Sequence, residues 1–128
     1  MKVAIVDDGL YVVINMQKVV REAGHEVLGI CISFRKDERV LCIDEDLDKV
    51  AEKIKEFRPD VVFLDHDLSL GSDRNGEALA KKLGLPWEKL VGISSGNPQR
   101  YCGKNLPVEK TNVGIDTQCD QRFLEFIG

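Results

Sequence analysis

Lys2-Val3-Ala4-Ile5-Val6-Asp7-Asp8-Gly9 decides the fold. Five residues without a break in their apolar character, apart from the leading lysine, do not alternate as a half-exposed strand would, so the run reads as a short strand buried on both faces. It stops abruptly at two carboxylates and a glycine, which marks the passage from a buried strand to a loop. The same shape recurs in Val61-Val62-Phe63-Leu64, which stops at Asp65 and Asp67. Two doubly buried strands, each ending in acids, point to a parallel sheet covered by helices, with polar chemistry gathered along one edge.

The segments between these strands read as helices and further strands. Leu10 to Ala23 carries Leu10, Val13, Ile14, Gln17, Val20 and Ala23 largely at helical spacing, with Gly24 as its stop. Glu26 to Ser33 is a second strand. After the charged turn Phe34 to Arg39, Val40-Leu41-Cys42-Ile43 either extends that strand or pairs with it, and a hairpin-like insert is expected. Leu47, Val50, Ala51, Ile54 and Phe57 form one helical stripe, with Asp44 as candidate cap and Pro59 as terminator. Asn75 is a candidate cap for a helix in which Leu79 and Leu83 are buried. Leu90 to Ile93 makes a strand ending in Ser94-Ser95-Gly96, a brief strand around Val108 ends at Lys110, and Cys119, Phe123, Phe126 and Ile127 space out a last helix. The alternation β-α-β-α-β-α-β-β-α predicts an α/β sheet wrapped on both faces.

Bulk properties narrow the function. At 128 residues the chain is expected to be one domain spanning residues 1–128, with no linker or internal repeat. Hydrophobic residues make up 43% and charged residues 31%, which excludes a disordered or low-complexity chain. Acids outnumber bases 22 to 18, the wrong balance for a protein that draws its affinity from phosphate backbones, so no direct nucleic-acid partner is expected. No apolar run reaches the roughly 18–20 residues of a membrane span, and a cytoplasmic protein is expected. Cys31, Cys42, Cys102 and Cys119 form no CxxC or zinc-knuckle spacing and read as reduced, small apolar groups, with a disulfide between two of them left open.

In open α/β sheets the functional groups collect beyond the carboxyl ends of the strands. There the sequence offers Asp7 and Asp8, then Asp65 and Asp67, then Ser94 and Ser95, then Lys110. Carboxylates held within a few ångströms repel one another unless a cation sits among them. A hard divalent ion with oxygen ligands, such as Mg²⁺, resolves that repulsion and leaves positions open for a phosphate. Each residue also has an ordinary reading: an aspartate after a strand is commonly a helix cap or a solvated loop acid, and a serine there a turn hydroxyl. Setting the four aspartates aside leaves acids and bases equal at 18 each, so the whole net charge of −4 fits inside this one proposed site.

Taken in order, Asp7-Asp8, Pro59-Asp60-Val61-Val62-Phe63-Leu64-Asp65, Val91-Gly92-Ile93-Ser94-Ser95 and Glu109-Lys110 resemble the receiver domain of two-component response regulators, over essentially the whole chain. The resemblance implies a single doubly wound, flavodoxin-like (CheY-like) fold with a five-stranded parallel sheet. It implies Asp7, Asp8 and Asp65 as the Mg²⁺ site, Asp65 as phosphoacceptor, and Ser94 and Lys110 as the groups that bind the phosphoryl and read its presence; Asp67, which the receiver pattern does not supply, is a further candidate ligand by its own side chain, with a loop-capping acid as the alternative. A sensor histidine kinase or phosphotransfer protein would be the donor, and a downstream protein the recipient of the signal. The chain is then expected to act as a stand-alone phosphoacceptor rather than as an enzyme with turnover. Leu10-Tyr11-Val12-Val13-Ile14, apolar all round, is read as core, with a homodimer or partner surface as the alternative.

Three features depart from the receiver pattern. The acceptor Asp65 is followed by His66-Asp67-Leu68-Ser69 with no proline, and Lys110 is followed by Thr111 where receivers carry proline. Asn97 to Pro107 holds two prolines, a glycine and no helical stripe, so the fourth helix is expected to be shortened or absent. The string Leu64-Asp65-His66-Asp67-Leu68, with Asn75-Gly76 at a helix start, also resembles receiver-like domains that process cyclic phosphates. That alternative implies a metal-dependent phosphoesterase with His66 as acid/base. A degenerate receiver used only for protein binding is the third reading.

Overall fold

The computed structural model describes residues 1–44, 46–65, 75–86, 89–94 and 104–109. Nine elements follow one another: β1 (Lys2–Asp7), α1 (Leu10–Glu22), β2 (Glu26–Ile32), β3 (Leu41–Ile43), α2 (Leu47–Phe57), β4 (Val61–Asp65), α3 (Asn75–Leu83), β5 (Leu90–Ser94) and β6 (Lys104–Glu109). The strands form one sheet in the order β3-β2-β1-β4-β5-β6, and every neighbouring pair is parallel. From β1 the chain steps outward through β2 to β3, then crosses back to β4 on the other side of β1. The crevice at the carboxyl ends of β1 and β4 is therefore the point where the winding reverses.

The two faces of the sheet bury separate cores, and the two-residue alternation of the strands sorts side chains between them. Val3, Ile5, Val61 and Phe63 pack with Met16 and Val20 of α1. Ala4, Val6, Val62 and Leu64 face the other way, onto Val50, Ala51 and Ile54 of α2 and Leu79 and Leu83 of α3. The wholly apolar strands are thus explained by helices on both sides, and each fully buried Ile, Leu or Phe contributes about 1.5–3 kcal/mol. Val13 is fully buried beneath α1, whereas Tyr11 is 52% exposed, so the apolar first turn of that helix is mostly core with one aromatic left outside.

The structure corrects the expected five-stranded sheet and the hairpin. Leu41–Ile43 forms a sixth strand that pairs with β2 in parallel, Ile30 opposite Leu41, Cys31 opposite Cys42 and Ile32 opposite Ile43. A parallel pair ordinarily needs a crossover of about a dozen residues or more. Residues 33–40 suffice here because β3 lies beside the last residues of β2, and the chain retreats only about two residues' rise, roughly 7 Å. The return is fixed by Ser33 donating its N–H to the Ile43 carbonyl at 3.1 Å and by Gln17 Nε2 donating to the Arg39 carbonyl at 2.6 Å. Asp37 takes the Arg39 backbone N–H at 2.8 Å and its guanidinium at 2.8 and 2.9 Å, which closes the turn on itself.

The cap of α2 also differs from expectation. Asp46, not Asp44, precedes the first turn, and its side chain accepts the Lys49 N–H at 3.0 Å. A helix that starts at Leu47 places residue 46 within reach of the third N–H, and an acid two positions earlier lies outside that reach. At the other end Arg58 adopts the left-handed conformation, φ 55°, and its N–H meets the Ile54 and Lys55 carbonyls before Pro59 prevents continuation. Helix α3 begins at Asn75 itself. Strand β6 begins at Lys104, inside the Asn97–Pro107 stretch, so only residues 95–103 join it to β5, shorter than a usual helical crossover. The last expected helix, Cys119 to Ile127, lies outside the described residues.

Candidate functional site: an acidic cluster at the sheet edge

β1 and β4 run side by side with Val6 opposite Leu64, so the next residues, Asp7 and Asp65, end their strands at the same level. Both lie on the side of the sheet that α1 covers, by alternation from Val3 and Ile5 in one strand and Val61 and Phe63 in the other. Asp7 is 0% and Asp65 3% exposed, an unusual degree of burial for aspartates. Asp8 follows, half-buried, on the loop into α1. Each of the three offers a carboxylate oxygen, and those oxygens all lie within 4.8 Å of one another.

Local geometry holds the cluster in place. Asp7 Oδ1 accepts the Gly9 N–H at 2.8 Å, which turns the chain from strand into helix. Gly9 is the N-cap residue of α1 and makes no side-chain cap. A Cβ there would lie 3.1 Å from Val12 Cγ2 and 3.3 Å from Asp7 Oδ1, so glycine lets the turn close against the carboxylate. The positive end of the α1 dipole opens beside these acids and favours their charged form by about 0.3–1 kcal/mol at such positions. The burial of two carboxylates together with a third beside them is expensive without a compensating cation, and an oxygen-only donor set of this kind matches a hard divalent ion such as Mg²⁺ better than a soft one.

Of the residues expected at the site, the structure brings together Asp7, Asp8 and Asp65. Ser94 ends β5 opposite Glu109, the last residue of β6, across an irregularity in the register. Its backbone therefore reaches the same sheet edge. Lys110 follows directly on Glu109 in the chain, and it lies outside the described residues, as do Ser95, His66 and Asp67.

Sequence reasoning did not anticipate the neighbour of this cluster on its other side. Asp7 is opposite Cys31 in β2, and Cys31 is opposite Cys42 in β3. Cys31 is fully buried and its Sγ donates to the Asp8 carbonyl at 3.7 Å. Burial pushes its thiol up to about 12, reinforced by Cys42, Asp7 and Asp8. The signal was in the sequence: Ile30-Cys31-Ile32 and Leu41-Cys42-Ile43 have the same pattern, as two neighbouring strands in register would. A surface depression of about 720 Å³ lies elsewhere, on α2 and α3, lined by Asp48, Glu52, Lys55, Glu56, Arg58 and Lys82. Its charges are of mixed sign and it shares no residue with the acidic cluster.

Among solved structures, the chain is similar to a CheY-like response regulator receiver domain from Methylobacillus flagellatus, with TM-score 0.58 and 20% identity over 100% of this chain and 98% of that one. The fold is that of a response-regulator receiver domain. The same fold appears in the signal receiver domain of a modulated diguanylate cyclase from Desulfovibrio desulfuricans, TM-score 0.59 and 18% identity over 98% of this chain and 89% of that one. The anti-anti-sigma factor PhyR from Bartonella quintana aligns with TM-score 0.53 and 15% identity over 77% of this chain, which spans 34% of PhyR. No protein-family model and no curated protein sequence matches the chain. At these identities the likeness is one of receiver fold. Among the described residues, no helix is long and apolar enough to cross a membrane.

Proposed function

We propose that this chain is a phosphorelay receiver that accepts a phosphoryl group on Asp65 with Mg²⁺ and passes the signal to a protein partner. The observation that carries the reading is the convergence of the Asp7, Asp8 and Asp65 carboxylates within 4.8 Å at the winding reversal of a receiver fold. Asp7 and Asp8 would hold the divalent ion together with Asp65, and Asp67, two residues beyond the acceptor, would complete the set. When bound, the ion supplies positive charge against the equatorial oxygens of the phosphoryl group.

The remaining chemistry belongs to the chain. An Asp65 carboxylate oxygen attacks phosphorus in line with the departing nitrogen of a phosphohistidine donor, the P–N bond breaks, and an acyl phosphate forms. The burial of Asp65 excludes bulk water from the acceptor, which favours transfer from a docked donor over hydrolysis. Lys110, the next residue in the chain after β6, would balance the added charge, and the Ser94 hydroxyl would donate to a phosphoryl oxygen. Movement of Ser94 toward that oxygen is the packing change that a sensor histidine kinase imposes and a downstream protein reads.

Incubation of the chain with Mg²⁺ and a small acyl phosphate donor tests the reading. It should give one hydroxylamine-labile phosphate per chain, absent in Asp65→Asn and without chelator-resistant labelling. A wild-type chain that stays unlabelled and binds no divalent ion in a thermal-shift titration overturns the proposal. Turnover of a cyclic phosphate that is lost in His66→Ala would instead favour the phosphoesterase reading.

A further inference from the structure

We infer that Cys31 and Cys42 form a peroxide-oxidisable dithiol, a modification site that closes into an intrachain disulfide between β2 and β3. The two residues are direct partners in a parallel ladder. Neighbouring strands lie about 4.8 Å apart, inside the roughly 4.4–6.8 Å window of Cα separations that a disulfide tolerates. Alternation places both side chains on the same side of the sheet, and Cys42 packs against the cluster of Val13, Cys31 and Val40. Both thiols are free in the structure.

The difference in exposure between the two sulfurs sets the order of events. Cys31 is fully buried, whereas Cys42, half-buried on the edge strand, is the sulfur an oxidant meets first. The Cys42 thiolate attacks one oxygen of hydrogen peroxide. An S–O bond forms, the O–O bond breaks, and the hydroxide released takes the thiol's proton and leaves as water. The Cys31 sulfur then attacks the Cys42 sulfenic sulfur, the S–S bond forms, the S–O bond breaks, and the departing hydroxide takes the Cys31 proton as a second water. Two thiols and one peroxide thus give one disulfide and two waters, with two electrons passing to the peroxide.

The disulfide has a structural consequence at the acidic cluster. Cys31 loses the S–H that it donates to the Asp8 carbonyl, so the acceptor of that hydrogen bond must turn elsewhere. It also fastens the edge strand covalently to β2. The inference stands on the sheet register and does not depend on the phosphoacceptor reading.

The test treats the full, reduced chain with hydrogen peroxide, traps remaining thiols with N-ethylmaleimide after unfolding, and maps peptides without reduction. A Cys102→Ser/Cys119→Ser variant is treated alongside. The expected result in both is a monomer that has lost the Cys31 and Cys42 thiols together, yields a Cys31–Cys42 cross-linked peptide, and recovers both thiols with dithiothreitol. Cys42→Ser should leave Cys31 alkylatable after the same treatment. Sulfinic acid on Cys42 with Cys31 still a free thiol, or cross-links that run mainly between chains or to Cys102 or Cys119, would overturn it.

Discussion

Gly29 sits in β2 directly beneath α1, and its replacement by alanine tests how closely the helix must approach the sheet. A Cβ at that position would collide with Gln17 Oε1 and lie 2.8 Å from Val13 Cγ1 and 3.2 Å from Gln17 Cδ. Both neighbours are nearly or fully buried, Gln17 at 6% and Val13 at 0% exposure, so neither has solvent to retreat into. Gln17 also spends its Nε2 on the Arg39 carbonyl, the bond that holds the 33–40 turn against α1. Overpacking of this kind costs about 1–3 kcal/mol, and a buried partner left unsatisfied about 1–3 kcal/mol more. The stiffer unfolded chain returns about 0.4–1 kcal/mol. Gly29→Ala should therefore lose about 2–4 kcal/mol in urea unfolding with an unchanged m-value, and about 8–16 °C in Tm at roughly 4 °C per kcal/mol. Gln17→Ala should cost less in the Gly29→Ala background than in the wild type, because it removes the colliding group. A Gly29→Ala chain that melts with the wild type, or two substitutions that simply add, would refute the argument that this contact sets the position of α1.

Further measurements bear on other parts of the fold. Asp46→Ala should lose about 1 kcal/mol through its cap while Asp44→Ala changes little, and the reverse order in urea midpoints would count against the assigned helix start. Ile54→Ala, which empties a fully buried site between α2 and the sheet, should cost about 2–5 kcal/mol. Hydrogen bonds from Arg39 hold the Asp37 carboxyl down at about 2, below its ordinary 3.8, so the clasp is complete above about pH 4 and is lost as pH falls through about 2. Carboxyl NMR titration of Asp37 reads this midpoint, and a value at 3.8 would contradict the clasp. At pH 8.5 a soluble alkylating reagent should modify Cys42 well before Cys31, whose thiol is pushed up to about 12; equal rates would mean that Cys31 is not shielded.

The parts of the molecule that were legible in the sequence are those governed by local pattern. Val3–Val6 and Val61–Leu64 announce burial on both faces by composition alone, and the stripe from Leu47 to Phe57 announces α2 by period. The convergence of Asp7 and Asp65 follows from the same reasoning, because parallel strands that begin in register end at a common edge. The direction of β3 was not legible, since a turn of eight residues serves a hairpin as readily as a short parallel return. What decides it is long-range: the Ser33 bond to Ile43 and the Gln17 bond to Arg39 join residues that no local pattern relates. The cap of α2 was ambiguous because Asp44-Glu45-Asp46 offers three acids in a row, and only the helix start selects among them. Nothing in the local pattern of Glu26 to Ser33 singles out Gly29, because its constraint comes from Val13 and Gln17 of α1 packed above it.

The brevity of β3 has a consequence for how the protein meets its own copies. An outermost strand exposes unpaired N–H and C=O groups that another chain can extend into a continuous sheet, and the hazard grows with the length of the exposed edge. Three residues, Leu41–Ile43, present little template. The approach to them is guarded as well, because Arg35, Lys36, Asp37, Glu38 and Arg39 form an unbroken run of charges just before the strand, and the Asp37–Arg39 clasp bends that run out of extended conformation. Substitutions that neutralise this run and favour extended backbone would lengthen the open edge, and the first sign would be self-association at concentrations where the native chain stays dispersed.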